Sequence, residues 1–167
     1  AASGGRSIDV VWDCWGWRGG WGSTKLDAAI RGAKNLRMVL VETPANPTLI
    51  MTDIQLACAS AAAAAKPGSP KPIVMVDNTL LGPAFQHPLL HGADLVMYSA
   101  TKYLSGFSDM IGGVLLAKDA DLIRQIRPKR SLFGTILQPD ECWMLDGRLS
   151  TVGLRMGRAT ENAQHIA

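Results

Sequence analysis

Short apolar runs that alternate with helix-forming stretches limit the folds open to this chain. The runs cover residues 8–12, 38–41, 73–76, 95–98 and 114–117, and most of the segments between them have helical periodicity or a high alanine content. Strands that alternate with helices build mainly parallel sheets that carry helices on both faces. The sequence therefore predicts an α/β fold.

Six segments have the composition of helices, and one of them has clear ends. Thr52 followed by Gln55 matches a capping pattern that opens an alanine-rich helix to about Ala65, which the Pro-Gly pair at 67 and 68 terminates. The other helices are expected near residues 26–33, 88–92, 119–126, 141–149 and 151–167. From residue 139 onward the pattern is helical.

Two of the apolar runs are followed by residues that can take part in catalysis or cofactor binding. Asp77 closes the run 73–76, and Lys102 lies shortly after the run 95–98. If these runs are neighbouring parallel strands, the carboxylate and the amine emerge at one edge of the sheet, where open α/β sheets hold ligands. Pyridoxal 5'-phosphate requires two groups from its protein. They are a lysine that can form a Schiff base and an acid that keeps the pyridine nitrogen protonated. We therefore predict a pyridoxal phosphate site, with Lys102 and Asp77 as catalytic and cofactor-binding residues.

Two hydroxyl groups precede this lysine. Ser99 and Thr101 alternate with apolar positions, so both hydroxyls can point toward a phosphate. A strand-to-turn pair that bonds its own backbone has the same pattern. Asp77 also has a structural alternative, because an acid before Asn-Thr is common in turns.

Three sequence motifs occur in order and point to a known family. They are Glu42-Thr43-Pro44-Ala45-Asn46-Pro47-Thr48, Val76-Asp77-Asn78-Thr79, and Ser99-Ala100-Thr101-Lys102 followed by Gly106. A weaker match continues through Leu154-Arg155-Met156 to Glu161-Asn162-Ala163. Together they resemble the transsulfuration family of pyridoxal phosphate enzymes, which includes cystathionine γ-synthase, cystathionine lyases, methionine γ-lyase and acylhomoserine sulfhydrylases.

The resemblance implies a fold and a set of cofactor contacts. It implies that residues 1–138 are part of the large cofactor domain of an aspartate-aminotransferase-like (fold-type I) enzyme, and that the helical segment 139–167 leads to a C-terminal domain. It assigns Ser99 and Thr101 to the cofactor phosphate, and Asn46 to the neighbourhood of the ring hydroxyl.

The resemblance also implies an activity and a setting. We expect γ-replacement or γ-elimination on homoserine esters, cystathionine or methionine, with a cystathionine γ-synthase-like reaction preferred. Cystathionine β-elimination is the alternative within the family, and a non-catalytic remnant that retains the fold is the alternative outside it. The expected enzyme is a cytoplasmic homotetramer whose partner is a small amino-acid substrate.

The sequence departs from the family pattern in two respects. Phe107 follows Gly106 where the family usually has His, which puts in doubt a hydrogen bond near the lysine loop. Four features of relatives have no match in this sequence. They are the aromatic residue that stacks on the cofactor, the backbone-amide phosphate loop, the Tyr/Arg pair from a neighbouring subunit and the arginine that binds the substrate carboxylate. We therefore expect an internal fragment of a longer enzyme that is not competent alone.

Other classes of function are disfavoured by the composition. A net charge of +3 from 17 basic and 14 acidic residues is too small and dispersed to indicate nucleic acid or an anionic membrane as partner. The basic cluster at 124–130 is interpreted as a solvated helix end. No apolar run approaches the ~20 residues that span a bilayer.

The cysteines, histidines and an unusual loop complete the sequence evidence. Cys14, Cys58 and Cys142 form no CxxC pair, which disfavours zinc and a disulfide framework and favours a reducing compartment. Three isolated histidines, at 87, 91 and 165, have no metal-ligand pattern. The Gly/Trp-rich residues 16–22 are interpreted as a surface or interface loop, and a nucleotide-binding or single-strand nucleic-acid platform is the less favoured alternative.

Overall fold

The computed structural model describes residues 9–13 and 23–167, with side chains from residue 25 onward. In these residues five strands form one sheet: β1 (Asp9–Asp13), β2 (Leu36–Glu42), β3 (Ile73–Asp77), β4 (Leu95–Ser99) and β5 (Gly113–Leu116). The α-helices are α1 (Ser23–Gly32), α2 (Ile54–Ala63), α3 (Gly82–Phe85), α4 (Ala120–Phe133), α5 (Pro139–Leu149) and α6 (Val152–Ile166). A single 3₁₀ turn covers Pro88–His91, and a π-type turn at Ala100–Leu104, the lysine turn, contains Lys102. The Gly/Trp-rich residues 16–22 lie outside the described residues.

The sheet is mainly parallel, as predicted, and its strands follow sequence order. β1 to β4 are parallel neighbours, and β5 runs antiparallel to β4 at one edge. Glu42 pairs with Asp77, and Asp77 pairs with Met97 in the next strand. The carboxyl ends of β2, β3 and β4 therefore meet at one edge of the sheet, which is the arrangement on which the predicted site depends.

One face of the sheet is buried by the first two helices. Valines of β2 and β3 pack against Leu26 and Ile30 of α1 and against Ile54, Ala57 and Ala61 of α2; the valines are Val39, Val41, Val74 and Val76. Each of these valines is fully buried, which stabilises the fold by roughly 1.5–3 kcal/mol per side chain. The alternate positions, such as Met75 and Met97, are only half-buried by the described residues.

A second core cluster joins the lysine turn to the last two helices. Val96 and Tyr98 of β4 and Leu104 of the turn belong to one buried cluster with Leu145 of α5 and Met156 of α6. The helical segment after residue 139 therefore packs directly against the turn that carries Lys102. Within the described part of the chain, no helix has the length and apolar character needed to cross a membrane.

Two predicted helix boundaries were wrong. Asp53, not Thr52, caps α2, because its side chain accepts a hydrogen bond from the Leu56 N–H (3.0 Å) and its backbone is extended. The helix predicted to end near residue 126 continues to Phe133 with Pro128 inside it. It begins at the predicted place, where Asp119 accepts hydrogen bonds from Asp121 and Leu122, and Gly134 in the left-handed conformation ends it.

Candidate active site

A cavity of about 1130 Å³ opens at the carboxyl edge of the sheet, and all five predicted site residues line it. Asp77 and Ser99 are the last residues of β3 and β4. Thr101 and Lys102 lie on the lysine turn that follows β4, and Asn46 lies on the loop after β2. The structure therefore brings together residues that are up to 56 positions apart in the sequence.

The Asp77 carboxylate is held in place through one of its two oxygens. Oδ1 accepts hydrogen bonds from the Thr79 N–H (3.0 Å) and the Thr79 hydroxyl (2.6 Å). The Thr79 hydroxyl oxygen in turn accepts a hydrogen bond from the Ser99 N–H (2.8 Å). Among the described residues, no hydrogen bond reaches Oδ2. Asp77 is thus both a turn residue, as the structural alternative held, and an acid with a free acceptor beside the cavity.

Lys102 interrupts the helical geometry of its turn. Its backbone angles (φ −93°, ψ −117°) are not helical. The turn is closed around it by hydrogen bonds from the Ser105 N–H to the Ala100 carbonyl (2.9 Å) and from the Gly106 N–H to the Lys102 carbonyl (2.8 Å). The Lys102 side chain is exposed in the cavity and makes no hydrogen bond or ion pair with any described residue. Its amine is therefore available to a ligand.

The two predicted phosphate ligands differ in their surroundings. The Thr101 hydroxyl accepts a hydrogen bond from the Gly112 N–H (3.1 Å) and lies 3.4 Å from the Gly112 carbonyl. It thereby ties the lysine turn to the loop before β5. The Ser99 hydroxyl has no hydrogen-bond partner among the residues that the structure describes. Ser99 is therefore the freer of the two donors.

Asn46 lies on a loop that its neighbours hold firmly. The fully buried Thr43 hydroxyl accepts a hydrogen bond from the Thr52 N–H (2.9 Å), and the Ala45 N–H donates to the Ile50 carbonyl (2.9 Å). The Thr43-Pro44 and Asn46-Pro47 peptide bonds are cis. The Asn46 side chain is exposed and has no described hydrogen-bond partner.

The sequence interpretation missed a buried amide network behind the site. Asn78 is fully buried, and its Nδ2 lies within hydrogen-bond distance of the Gly82 carbonyl, the Gln86 carbonyl and the Tyr98 hydroxyl. Gln86 Nε2 donates to Asn78 Oδ1 (2.8 Å) and to the Thr43 carbonyl (3.0 Å). This network connects the loops after β2 and β3. The only signal in the sequence was the position of Asn78 inside a matched motif.

A second acid lines the cavity beside Asp77. Glu42 ends β2 and pairs in register with Asp77. Side chains at paired positions of neighbouring strands lie on the same face of the sheet. The sequence alone does not assign Glu42 to the site, because a turn acid that satisfies the backbone explains it equally well.

Comparison with known proteins agrees with this geometry. The model of the Cys/Met metabolism PLP-dependent enzyme family matches residues 22–167. The chain is 40% identical over 134 residues to cystathionine gamma-synthase of Escherichia coli, which covers 80% of this chain and 33% of that protein. It is 38% identical over 133 residues to cystathionine beta-lyase MetC of Bacillus subtilis, again 80% of this chain and 33% of that protein.

Solved structures give the same result. The structure of apo CalE6, a methionine gamma lyase from Micromonospora echinospora, matches with a TM-score of 0.71 and 34% identity, over 77% of this chain and 34% of that one. The chain spans about a third of the length of the curated relatives it matches. The family model covers far more than half of the chain. The chain therefore belongs to the Cys/Met metabolism PLP-dependent enzyme family.

Proposed function

We propose that Lys102 and Asp77 hold a pyridoxal phosphate cofactor in this cavity, as part of an enzyme of sulfur amino-acid metabolism. The strongest support is that the Lys102 amine and the Asp77 Oδ2 atom line one cavity and that neither has a hydrogen-bond partner among the described residues. An amine and a carboxylate are the two groups that the cofactor requires from its protein. The membership of the family supports the same cofactor.

The other predicted residues fit the remaining parts of this cofactor. The free hydroxyl of Ser99 suits a phosphate oxygen, and Thr101 adds a hydroxyl that Gly112 already orients. The exposed amide of Asn46 suits the ring hydroxyl. These residues line the same cavity as Lys102 and Asp77. The donor set thus offers a partner to each polar part of the group.

Each residue then has a defined task. Pyridoxal phosphate, when bound, supplies a protonated ring that withdraws electrons from the Cα of an amino acid. Asp77 Oδ2 would accept a hydrogen bond from the pyridine nitrogen and keep the proton there, while Thr79 fixes the carboxylate through Oδ1. With the cofactor bound, Lys102 Nζ would be the group that holds its aldehyde carbon, with loss of water, and, once displaced by the substrate amine, the base positioned for the Cα proton.

The substrate assigned to the whole protein is a homoserine ester, cystathionine or methionine, with γ-replacement or γ-elimination as the reaction and a cystathionine γ-synthase-like activity preferred. The similarity to the Escherichia coli γ-synthase supports this. Cystathionine β-elimination is the second candidate, because the Bacillus subtilis β-lyase is similarly close. Incubation with cystathionine separates γ-elimination from β-elimination, because γ-elimination takes up water and releases 2-oxobutanoate, cysteine and ammonia, whereas β-elimination takes up water and releases pyruvate, homocysteine and ammonia.

The quaternary and cellular setting is proposed on the resemblance alone. The enzyme is assigned to the cytoplasm as a homotetramer. Residues 1–138 are assigned to the cofactor domain, and residues 139–167 to the helical segment that leads to a C-terminal domain. Analytical ultracentrifugation of the complete gene product tests the tetramer, and a stable monomer with full activity would contradict it.

Lys102→Ala tests the cofactor assignment directly. Borohydride converts the bond between a lysine Nζ and the cofactor aldehyde carbon into a stable secondary amine, so mass spectrometry of digested protein identifies the lysine. We expect the label on Lys102 in the wild-type gene product, and neither label nor turnover in the variant. The thermal unfolding midpoint should change little, because the side chain is exposed and has no described partner.

The exposed Lys118, which lies outside the cavity, provides the matched control. Lys118→Ala should retain both the label on Lys102 and the turnover. A reducible label that persists at another lysine in Lys102→Ala, together with turnover, would move the cofactor site elsewhere.

A further inference from the structure

Arg155 of α6 reaches across to the lysine turn and contacts the two carbonyls that follow Lys102. Its Nη1 donates to the Tyr103 carbonyl (2.7 Å), and its Nη2 donates to the Leu104 carbonyl (3.1 Å). Its Nε donates to the Thr151 hydroxyl (3.1 Å) at the start of the same helix. A planar guanidinium with donors in a fixed fork holds such acceptors in a defined geometry.

Gly106 leaves room for this guanidinium. A Cβ atom at position 106 would lie 2.2 Å from Arg155 Nη1, a distance at which atoms overlap. Gly106 also has a φ of +79°, which side chains other than glycine disfavour. The glycine that closes the lysine turn and the arginine that contacts the turn are therefore parts of one arrangement.

Arg148 of α5 holds the loop that follows the turn. Its guanidinium forms two short hydrogen bonds with the Asp109 carboxylate (2.6 and 2.7 Å) and one with the buried Ser105 hydroxyl (3.0 Å). It also lies 4.6 Å from the centre of the Phe107 ring, a cation–π distance. Phe107, which departs from the family pattern, thus has a partner of its own in this chain.

We propose that Arg155 is a positioning residue that orients the Lys102 amine by fixing the two carbonyls after it, with Arg148 holding the adjoining loop. The inference rests on the proposed function, because it concerns the reaction of Lys102 with the cofactor. The Lys102 side chain makes no hydrogen bond or ion pair with any residue that the structure describes. Its direction is therefore set by the backbone of the turn, and Arg155 is the side chain that bonds that backbone from outside.

A matched control lies one helical turn further along. Arg158 is on the same helix, its side chain is 75% exposed, and among the described residues it pairs only with Glu161. Arg158→Gln therefore removes the same kind of side chain without touching the lysine turn. Arg155→Gln removes the fork, and Arg155→Lys keeps the charge while losing the paired geometry.

The test uses the complete gene product and a readout that differs from activity. The apoprotein is mixed with pyridoxal phosphate for short times, reduced with borohydride, and digested. The labelling rate of Lys102 divided by that of the exposed Lys118 is the Lys102 selectivity. Amide hydrogen exchange of Ser105 and Gly106, whose N–H groups close the turn, is measured in parallel. Thermal unfolding checks the fold of each variant.

We expect Arg155→Gln to lower the Lys102 selectivity by about tenfold or more, because small misplacements of a reacting group have large effects on rate. Exchange at Ser105 and Gly106 should rise by a similar factor, Arg155→Lys should lie between, and Arg158→Gln should match the wild type. If Arg155→Gln does not unfold cooperatively, Arg155→Lys decides the question by the same ratio.

Two outcomes would overturn the inference, and they are distinguishable. Wild-type selectivity in a folded Arg155→Gln or Arg155→Lys protein would overturn the positioning role and leave the proposed function intact. A wild-type protein in which Lys102 is labelled no faster than Lys118 would overturn the proposed function, and the inference with it.

Discussion

The two oxygens of Asp77 have different surroundings, and this difference allows the residue to combine a turn role with the proposed cofactor role. Thr79 occupies Oδ1 with two hydrogen bonds and is itself bonded to the Ser99 backbone, so the carboxylate cannot turn freely. The free Oδ2 beside the cavity can then face a pyridine nitrogen. A turn role and a cofactor role, which compete as interpretations of the sequence, are compatible in the folded chain.

Asp77→Asn should keep the cofactor but slow the reaction. An amide cannot pair as an ion with a protonated pyridine, and a close opposite charge shifts a pKa by roughly 1–3 units, so turnover should fall by about 10- to 1,000-fold. Steady-state kinetics and reductive labelling of Lys102 measure the two effects. Asp146→Asn, which changes an exposed acid of α5, is the control. Near-unchanged turnover in Asp77→Asn would leave Asp77 with its turn role only.

The loop that follows the lysine turn is joined to α5 by an ion pair between Asp109 and Arg148, whose strength should depend on pH. Hydrogen bonds from the Arg148 guanidinium lower the pKa of Asp109 below its usual 3.8, and Asp109 raises the pKa of Arg148 in return. A carboxyl group whose pKa is lower in the folded than in the unfolded state contributes its full stabilisation when the pH lies above its unfolded-state pKa. That stabilisation is lost as the pH falls through the lower folded value.

Asp109→Asn should therefore change stability in a pH-dependent way. We expect the variant to unfold at lower temperature than the wild type near pH 7, and the difference to shrink as the pH is lowered through about 4 and below. Thermal unfolding followed by circular dichroism across this range measures the difference. A gap between the two proteins that is constant with pH would exclude the Arg148 contact as its source.

The loops after β2 and β3 depend on the buried amide of Asn78. Asn78→Ala should lower the free energy of unfolding by about 2–4 kcal/mol, because the Gly82 and Gln86 carbonyls lose the Asn78 donor and the Gln86 amide keeps only the Thr43 carbonyl as acceptor, all at buried or part-buried positions. Denaturant titration measures the loss. Asn162→Ala, at an exposed position of α6, should change stability by less than about 0.5 kcal/mol. Equal effects of the two substitutions would mean that the amide network contributes little.

The 167-residue chain exposes several large apolar side chains. Leu132 is 82% exposed, Phe133 75%, Trp143 78% and Leu154 77%. Apolar surface of this kind drives association when nothing covers it. The isolated chain should therefore scatter light increasingly with concentration in the micromolar range and bind pyridoxal phosphate weakly. The double variant Leu132→Ser, Phe133→Ser should scatter less, and a monodisperse wild-type chain with steady turnover would refute this expectation.

The sequence by itself determined the alternation of strands and helices, the mainly parallel sheet and the location of the five candidate site residues at one sheet edge. These follow from local periodicity and from motifs that each occupy a few consecutive residues. The Asn78 network and the contacts of Arg148 and Arg155 were decided by tertiary structure, whereas the cap of α2 at Asp53 and the end of α4 at Gly134 are local features. The two arginine contacts join groups that are 39 and 52 positions apart in the sequence, because Arg148 meets Asp109 and Arg155 meets Tyr103. Local sequence patterns do not predict such contacts, because only the packing of the folded chain brings these side chains within hydrogen-bond distance.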